Sequence, residues 1–436
     1  MNILLIQPRI SITQPSFWMR SIEKAFNKLY APSLTLEQLY AITPEDHQVK
    51  LIDERITKKI DYDEDYDLVG ITAFTPYVNR AYAIADIFRK RGIKVALGGY
   101  HPSALPEEAK QHADSVVVGE AEYTWPKLLD DAKNETLKPF YVSDRIVDQD
   151  DIPPAKRDQT GGNYFYGAVQ ATRGCPNRCE FCAISNMKLR ATVRKRPVGN
   201  VTDEIKAMPQ KHFHFYDPSL TSHPAYAKSL FKELKGLNKK FTCNGNVGVL
   251  NKDEELLKLA SEAGCFRWFI GFESFSQQNM DSLRKQTNRV EEYAPAVKKI
   301  RDHGMEVYGL FMFGLDYDTP DVFDLTLNAI NDLGLNVANF SILTPYPGTP
   351  LYDKLNKEGR IISKDWSKYR WDRVVIKPKG MSSEELLKGT LRVKKEFYSL
   401  HNFSQMICKE KDLRFSLLSD MIGTYFFSVL HHKYAY

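Results

Sequence analysis

Ala171-Thr172-Arg173-Gly174-Cys175-Pro176-Asn177-Arg178-Cys179-Glu180-Phe181-Cys182 sets three cysteines in one short loop. A cubane iron-sulfur cluster is ordinarily held by four thiolates, so three leave one iron open to a ligand from outside the protein. The competing use of clustered cysteines is structural zinc, whose usual pattern is two Cys-x-x-Cys or Cys/His pairs far apart in sequence. No second pair accompanies this loop. The remaining cysteines, Cys243, Cys265 and Cys408, read as isolated residues, the first two in apolar surroundings where a buried thiol is inert. Cys175, Cys179 and Cys182 are therefore expected to ligate a 4Fe-4S cluster.

The loop resembles the cysteine motif of the radical S-adenosylmethionine (SAM) enzymes, including the aromatic Phe181 before the last cysteine. The resemblance implies that SAM chelates the open iron through its amino and carboxylate groups. It also implies that the reduced cluster cleaves SAM to methionine and a 5′-deoxyadenosyl radical, which abstracts hydrogen from a substrate. An electron donor such as a flavodoxin or ferredoxin is then needed.

Composition bounds the rest. With 436 residues, 43% of them hydrophobic, the chain can bury more than one core. The net charge of +5 is spread through mixed stretches without a long basic block, so no nucleic-acid partner is expected. Met1 to Gln7 lacks the basic start and cleavage site of a signal peptide and reads as a first strand. Cysteines without a disulfide spacing point to a reducing compartment, and the cytoplasm is the expected location.

The N-terminal third alternates apolar runs (Asn2 to Gln7, Val49 to Asp53, Leu68 to Ala73, Lys94 to Gly99, Ser115 to Glu120) with a helical pattern over Asn79 to Arg91. This spacing predicts an α/β, Rossmann or flavodoxin-like, doubly wound parallel sheet, which binds ligands at the carboxyl ends of its strands. The loops there are Phe74-Thr75-Pro76-Tyr77, Gly98-Gly99-Tyr100-His101-Pro102-Ser103 and Gly119-Glu120-Ala121-Glu122. In this order, upstream of the cysteine loop, they resemble the cobalamin-binding domain of the cobalamin-dependent radical SAM enzymes. The resemblance implies cobalamin contacts at Thr75, Pro76, Tyr77, Gly98, Gly99, His101, Pro102, Ser103, Gly119 and Glu120. The Asp-x-His-x-x-Gly string that supplies a histidine to cobalt is absent, so cobalamin is expected without a histidine ligand. Tyr77 is then either the side chain nearest cobalt or a residue that packs under the ring or on the helix.

Charged, proline-containing residues 143–163 read as a linker, between a domain of residues 1–142 and one of residues 164–361. The second domain again alternates strands, near 167–172, 212–217, 240–246, 267–274, 306–314 and 338–344, with amphipathic helices. Six such units fit the partial (β/α)6 barrel that the family uses, with ligands at the strand ends. By resemblance, Asp217 receives the SAM amino group, although an Asp before proline also initiates turns. Glu273 and Ser274 reach ribose or amino groups; Gly309 and Gly314 let adenine lie against the backbone. Pro345 and Tyr346 form the last strand's loop, and Asn244 and Asn246 reach SAM or substrate. Arg194 and Arg196 either hold the SAM carboxylate or form a solvated charged face.

Residues 362–436 read as a mostly helical extension whose apolar stretch, Phe415 to Leu430, packs on the core, caps the barrel or lies on a membrane surface. The resemblance implies a C-methyltransferase for an unactivated carbon: one SAM remethylates cobalt, another supplies the radical. The rivals are ring formation or carbon-carbon coupling by the same assembly, and a sensor or carrier. The substrate is a protein or peptide residue, a natural-product precursor, a lipid or a tetrapyrrole, with the first favoured.

Overall fold

The computed structural model describes residues 1–10, 31–56, 60–160, 164–187, 192–399 and 402. The first sheet contains β1 (Asn2–Gln7), β2 (Gln48–Asp53), β3 (Leu68–Thr72), β4 (Lys94–Gly98), β5 (Ser115–Val118) and β6 (Phe140–Val142) in the order β2-β1-β3-β4-β5-β6. All neighbours are parallel. The order reverses at β1, and the crevice at the carboxyl ends of β1 and β3 is where such sheets take ligands. β3 is buried along its whole length, as a strand covered on both faces requires. The strand β6, too short to show a period in the sequence, extends the edge.

The second sheet is built from β7 (Tyr166–Val169), β10 (His212–Phe215), β11 (Lys240–Asn244), β12 (Cys265–Glu273), β13 (Glu306–Phe313) and β14 (Val337–Ile342). They run in the order β14-β13-β12-β11-β10-β7, all parallel, an open barrel with β7 and β14 as edges. Alternation along β10 shows the two faces: Phe213 and Phe215 are buried against the outer helices, whereas His212 and His214 point into the lumen. Aromatic pairs floor that lumen, Tyr166 stacked on His214 at 4.4 Å and Phe269 beside Tyr308 at 4.7 Å.

One difference concerns the entry to the cysteine loop. Where the sequence reads as one strand to Thr172, β7 stops at Val169, and Thr172–Arg173 (β8) pairs antiparallel with Arg194–Lys195 (β9). The cysteine loop leaves β8 and is thus tied at its base.

The two sheets share a core. One apolar cluster joins Ile6, Ile71 and Val78 of the first to Met312, Leu343 and Leu351 of the second and to Trp366 and Tyr369 beyond it. The carboxyl ends of both sheets meet: Tyr100 Oη donates to Pro347 O at 2.6 Å.

The described part of the extension is a strap followed by a helix. Residues 362–382 run as a strap with a short turn at Trp366–Lys368, joined to β14 by Ile342 N donating to Trp371 O at 2.7 Å. The helix Ser383–Phe397 then packs on β14, and Tyr398 Oη donates to Ala338 O at 2.5 Å. The apolar stretch from Phe415 lies outside the described residues, among which no helix is long and apolar enough to cross a membrane.

Candidate active site

The loop after β8 keeps Cys175 and Cys179 buried and Cys182 half-buried, all as free thiols. Its shape is fixed from three sides. Asn186 Nδ2 donates to the carbonyls of Cys179 (2.8 Å) and Cys182 (2.7 Å), Glu180 N to Leu283 O (3.1 Å), and Leu351 N to Glu180 O (3.1 Å). Burial pushes the Cys179 thiol up to about 11, against the pull of Lys285, and the neighbouring Cys182 and Cys175 push the same way. Burial also raises Cys175, with Cys182 adding to it. Thiols raised in this way, those of Cys175 and Cys179, stay protonated unless a metal ionises them, which fits ligands of iron rather than surface nucleophiles. Among the described residues no three His, Cys, Asp or Glu side chains converge on a point for a single ion. In a cubane each cysteine binds its own iron, so the sulfurs need not converge.

Beside these thiols lies a pair that the sequence reading did not assemble. Lys285 Nζ donates to Glu273 Oε1, both side chains 13% exposed, and sits 5.7 Å over the Phe181 ring. Gly271 makes the room: a Cβ there would stand 2.4 Å from Glu273 Oε1 and 2.8 Å from Lys285 Nζ. Glu273 takes a left-handed φ of 62° at a bulge in the β12 ladder, a costly conformation that re-aims its side chain. Ser274 is buried, its hydroxyl accepting from Ser276 N at 3.1 Å.

Several expected contacts have other occupations. Asp217 is wholly buried, and its carboxylate accepts from Ala171 N at 3.1 Å, Thr172 Oγ1 at 2.6 Å and Thr172 N. Burial raises it to about 6 against those hydrogen bonds. Both oxygens accept from the segment entering the cysteine loop, so Asp217 holds that entry in place. Asn244 supports it, Nδ2 donating to Asp217 O at 2.8 Å, and the backbone N of Asn246 donates to Thr221 Oγ1 at 2.7 Å.

Glu120 is likewise engaged within the protein. Its carboxylate is 2% exposed and forms a forked pair with Arg194, Oε2 to Nη1 at 2.5 Å and Oε1 to Nη2 at 2.9 Å. Glu122 accepts from Arg173 Nη1 at 2.5 Å. The Gly119-Glu120-Ala121-Glu122 stretch thus clamps β8 and β9 across the domain boundary. Arg196 is likewise engaged, by Glu204 at 2.7 Å and Gln170 O at 2.9 Å, and both arginines are buried, so neither is a solvated face.

His101 is fully buried, with Nδ1 3.2 Å from Thr75 Oγ1 and Nε2 3.1 Å from Glu108 Oε1. It faces the protein interior and has no free nitrogen for a cofactor. Gly99 is required by the fold, since at φ 96° an added Cβ would lie 2.7 Å from Thr72 Oγ1. Gly98 and Gly119 abut Val117 and Ser143. Ser103 Oγ donates to Gly99 O at 2.7 Å and accepts from Gly119 N at 2.9 Å, tying two loops together, and Pro102 is buried beside it. Gly309 and Gly314 give space to Phe311 and Leu386, so packing occupies both.

Facing the cysteine loop stands an aromatic group. Burial raises the Tyr100 phenol, and Cys182 and Tyr346 lie close enough to add to the effect. Phe74, 54% exposed, stacks on Tyr100 at 6.4 Å, and Tyr346 meets Tyr100 edge-on at 6.4 Å. Burial raises Tyr346 to about 12, with Tyr77 and Asp372 contributing; Pro345 is buried behind it. Burial raises Tyr77 too, opposed by Arg55. Thr75–Tyr77 forms one short turn with Thr75 and Pro76 buried, leaving Phe74 as the exposed aromatic at this sheet end. An exposed aromatic beside a phenol-rich wall suits a large flat apolar ring, and His101, the histidine of this strand-end loop, has both ring nitrogens engaged within the protein. The residues present thus fit cobalamin held without a histidine.

Residues 169–330 match the Radical SAM superfamily, and residues 36–129 match the B12 binding domain. The bacteriochlorophyllide d C-8(2)-methyltransferase of Chlorobaculum tepidum is 33% identical over 79% of this chain and 80% of its own. The chain belongs to the cobalamin-dependent radical SAM enzymes. A second C. tepidum relative, bacteriochlorophyllide d C-12(1)-methyltransferase, is 30% identical over 84% of this chain and 82% of its own. The structure of OxsB, a cobalamin-dependent SAM radical enzyme with aqua-cobalamin and SAM bound, superimposes with a TM-score of 0.70 at 15% identity. That match spans 99% of this chain and 72% of OxsB and shows the shared fold. Membership brings with it a 4Fe-4S cluster, SAM and cobalamin as cofactors.

Proposed function

We propose that the chain is a radical SAM C-methyltransferase acting on an unactivated carbon of a tetrapyrrole or a similarly flat, largely apolar molecule. The observation that carries this reading is the juxtaposition of the three-cysteine loop with Tyr100, Tyr346 and Phe74 at the carboxyl ends of both sheets. The names of the two C. tepidum relatives support methyl transfer and move the substrate away from the protein or peptide residue favoured by sequence alone.

When bound, the three cofactors supply the hydrogen-abstracting radical and the methyl group. The chain's own residues do the placing. Cys175, Cys179 and Cys182 would hold the cluster, and Lys285 sets a positive charge beside it. Asp217 and Glu120 fix the entry and base of the loop. The shared apolar core holds the two sheet ends at one separation, which a transfer between cofactors requires. The aromatic lining excludes water from a reactive radical.

The test is anaerobic incubation of reconstituted protein with reductant, a bacteriochlorophyllide and methyl-labelled SAM. Label in the tetrapyrrole together with 5′-deoxyadenosine is the expected result. 5′-Deoxyadenosine without label transfer would replace methylation by cyclisation or coupling, and the absence of 5′-deoxyadenosine under any substrate would leave a carrier or sensor.

A further inference from the structure

The residues that meet at His101 come from three parts of the chain. Thr75 belongs to the turn after β3, Glu108 to the short helix Pro106–Lys110, and Trp366 to the strap beyond β14. Trp366 Nε1 donates to Glu108 Oε1 at 2.9 Å, with Oε2 at 3.2 Å, and Tyr82 Oη donates to Oε1 at 3.0 Å. The Trp366 ring also meets the His101 ring edge-on at 5.0 Å. The strap reaches the turn a second time, where Asn79 Nδ2 donates to Asp365 Oδ1 at 3.1 Å.

Proton bookkeeping orders this chain of contacts. Burial opposes ionisation of Glu108, but hydrogen bonds from His101, Tyr82 and Trp366 outweigh it and hold the carboxyl below its ordinary value. An ionised Glu108 only accepts, so His101 Nε2 carries hydrogen and donates to it. In the neutral ring Nδ1 then offers its lone pair, and the Thr75 hydroxyl donates into it. The Thr75 side chain is thereby fixed in one orientation at the start of the turn Thr75–Tyr77. No other side-chain partner within the protein is needed by either ring nitrogen.

We propose that His101 is a positioning residue for the cobalamin-facing turn. Through Thr75 it fixes Pro76 and Tyr77, while Glu108 and Trp366 hold its ring, so the strap beyond the barrel helps to shape the lower face of the cobalamin site. This rests on the cobalamin reading above. It assigns His101 a place behind the turn rather than on cobalt, and it gives the strap a role that substrate contact would not.

Two substitutions separate the ring's two bonds. In His101→Asn the amide oxygen can stand where Nδ1 stands and still accept from Thr75; in His101→Gln the longer amide can reach Glu108 but not Thr75. Trp366→Phe keeps the ring packing and removes the donor to Glu108. Each purified protein, with its iron content measured, is titrated with cob(II)alamin by absorbance and examined by electron paramagnetic resonance. The Gln variant is expected to bind about five to ten times more weakly, as loss of one anchoring hydrogen bond implies. The Asn variant, which keeps the bond to Thr75 but loses the hold of Glu108, and Trp366→Phe should each bind only a few times more weakly, less than the Gln variant, with iron content unchanged in all. The unaltered protein should show no nitrogen splitting of the cobalt signal. Nitrogen splitting, or equal affinity of the Gln variant and the unaltered protein, overturns the proposal. Failure of the unaltered protein to bind cob(II)alamin overturns the cobalamin reading itself.

Discussion

Replacing Glu120 by Ala tests whether the domain boundary holds the cysteine loop. Glu120 and Arg194 are 2% and 6% exposed and joined by two hydrogen bonds of 2.5 and 2.9 Å. Arg173, 7% exposed, stands 3.7 Å from Glu120 and 2.5 Å from Glu122. Arg194 Nε has no acceptor of its own among the described residues, so loss of the carboxylate leaves a buried guanidinium that retains Val147 O at 3.4 Å. Breaking a buried pair from one side costs about 3 to 5 kcal/mol, mostly the desolvation of the charge left behind. The double substitution Glu120→Ala with Arg194→Met removes both charges and should recover at least half of that loss, because an apolar pair needs no partner. The measurements are urea midpoints and the iron retained after anaerobic reconstitution. In the single variant both should fall, since β8 and β9 form the base of the loop. A Glu120→Ala protein with an unchanged urea midpoint and full iron, yet weakened cobalamin binding, would refute the clamp and return Glu120 to the cofactor.

Three further outcomes follow from the same geometry. Cys179→Ala should reduce bound iron and abolish 5′-deoxyadenosine formation, measured by iron assay and chromatography, while the unfolding free energy of the cluster-free protein changes by about 1 kcal/mol, the ordinary size of a point substitution. Lys285→Gln removes the charge beside two cluster thiols and leaves Glu273 without its ion-pair partner. The cluster should become harder to reduce in a potentiometric titration, and the protein should lose about 1.5 to 3 kcal/mol, the range of a hydrogen bond to a charged group. Glu37, wholly buried beside Arg157 and Thr160, is raised from 4.5 to about 7 by burial, against the pull of those two neighbours. The folded state therefore binds its proton more tightly than the unfolded state, and stability falls as pH rises from about 4.5 to about 7. A shift of that size corresponds to roughly 3 kcal/mol. Glu37→Gln lacks the titration, so the stability gap between the native protein and the variant should move against the native protein by that order between pH 4.5 and pH 8. An equal gap at both pH values would refute the assignment.

What could be read from the sequence and what could not divides along a physical line. Strand periodicity is local, and both sheets were legible from it: Leu68 to Ala73 and Lys94 to Gly99 are apolar runs, and β3 and β4 lie there. The cysteine loop was legible because cluster ligation uses residues a few positions apart. Long-range ion pairs have no period. Glu120 finds Arg194 across 74 residues, and Trp366 finds Glu108 across 258, so neither bond leaves a mark in either segment. Lys285 escaped for a related reason: it reaches Glu273 from beyond the helix Gln277–Ser282, and the only local sign of the meeting is Gly271, whose missing Cβ admits both side chains.

This difference changes what the two strand-end motifs mean. Gly98-Gly99-Tyr100-His101-Pro102 and Gly119-Glu120-Ala121-Glu122 were read as surfaces for a cofactor because glycine and polar residues follow buried strands. In the folded chain most of their side chains face protein. Gly99 admits Thr72, Tyr100 reaches Pro347, His101 holds Thr75, and the two glutamates hold Arg194 and Arg173. Each of these contacts either joins the two sheets or stiffens a loop between them. A ligand spanning both sheet ends needs those ends at a fixed separation before it binds, and groups that set the separation cannot also be loose enough to wrap the ligand. The motifs therefore mark the docking of two domains as much as the presence of a cofactor. A chain that retained them while losing the exposed Phe74 should still assemble its two sheets, with its iron site intact and its affinity for cobalamin lowered.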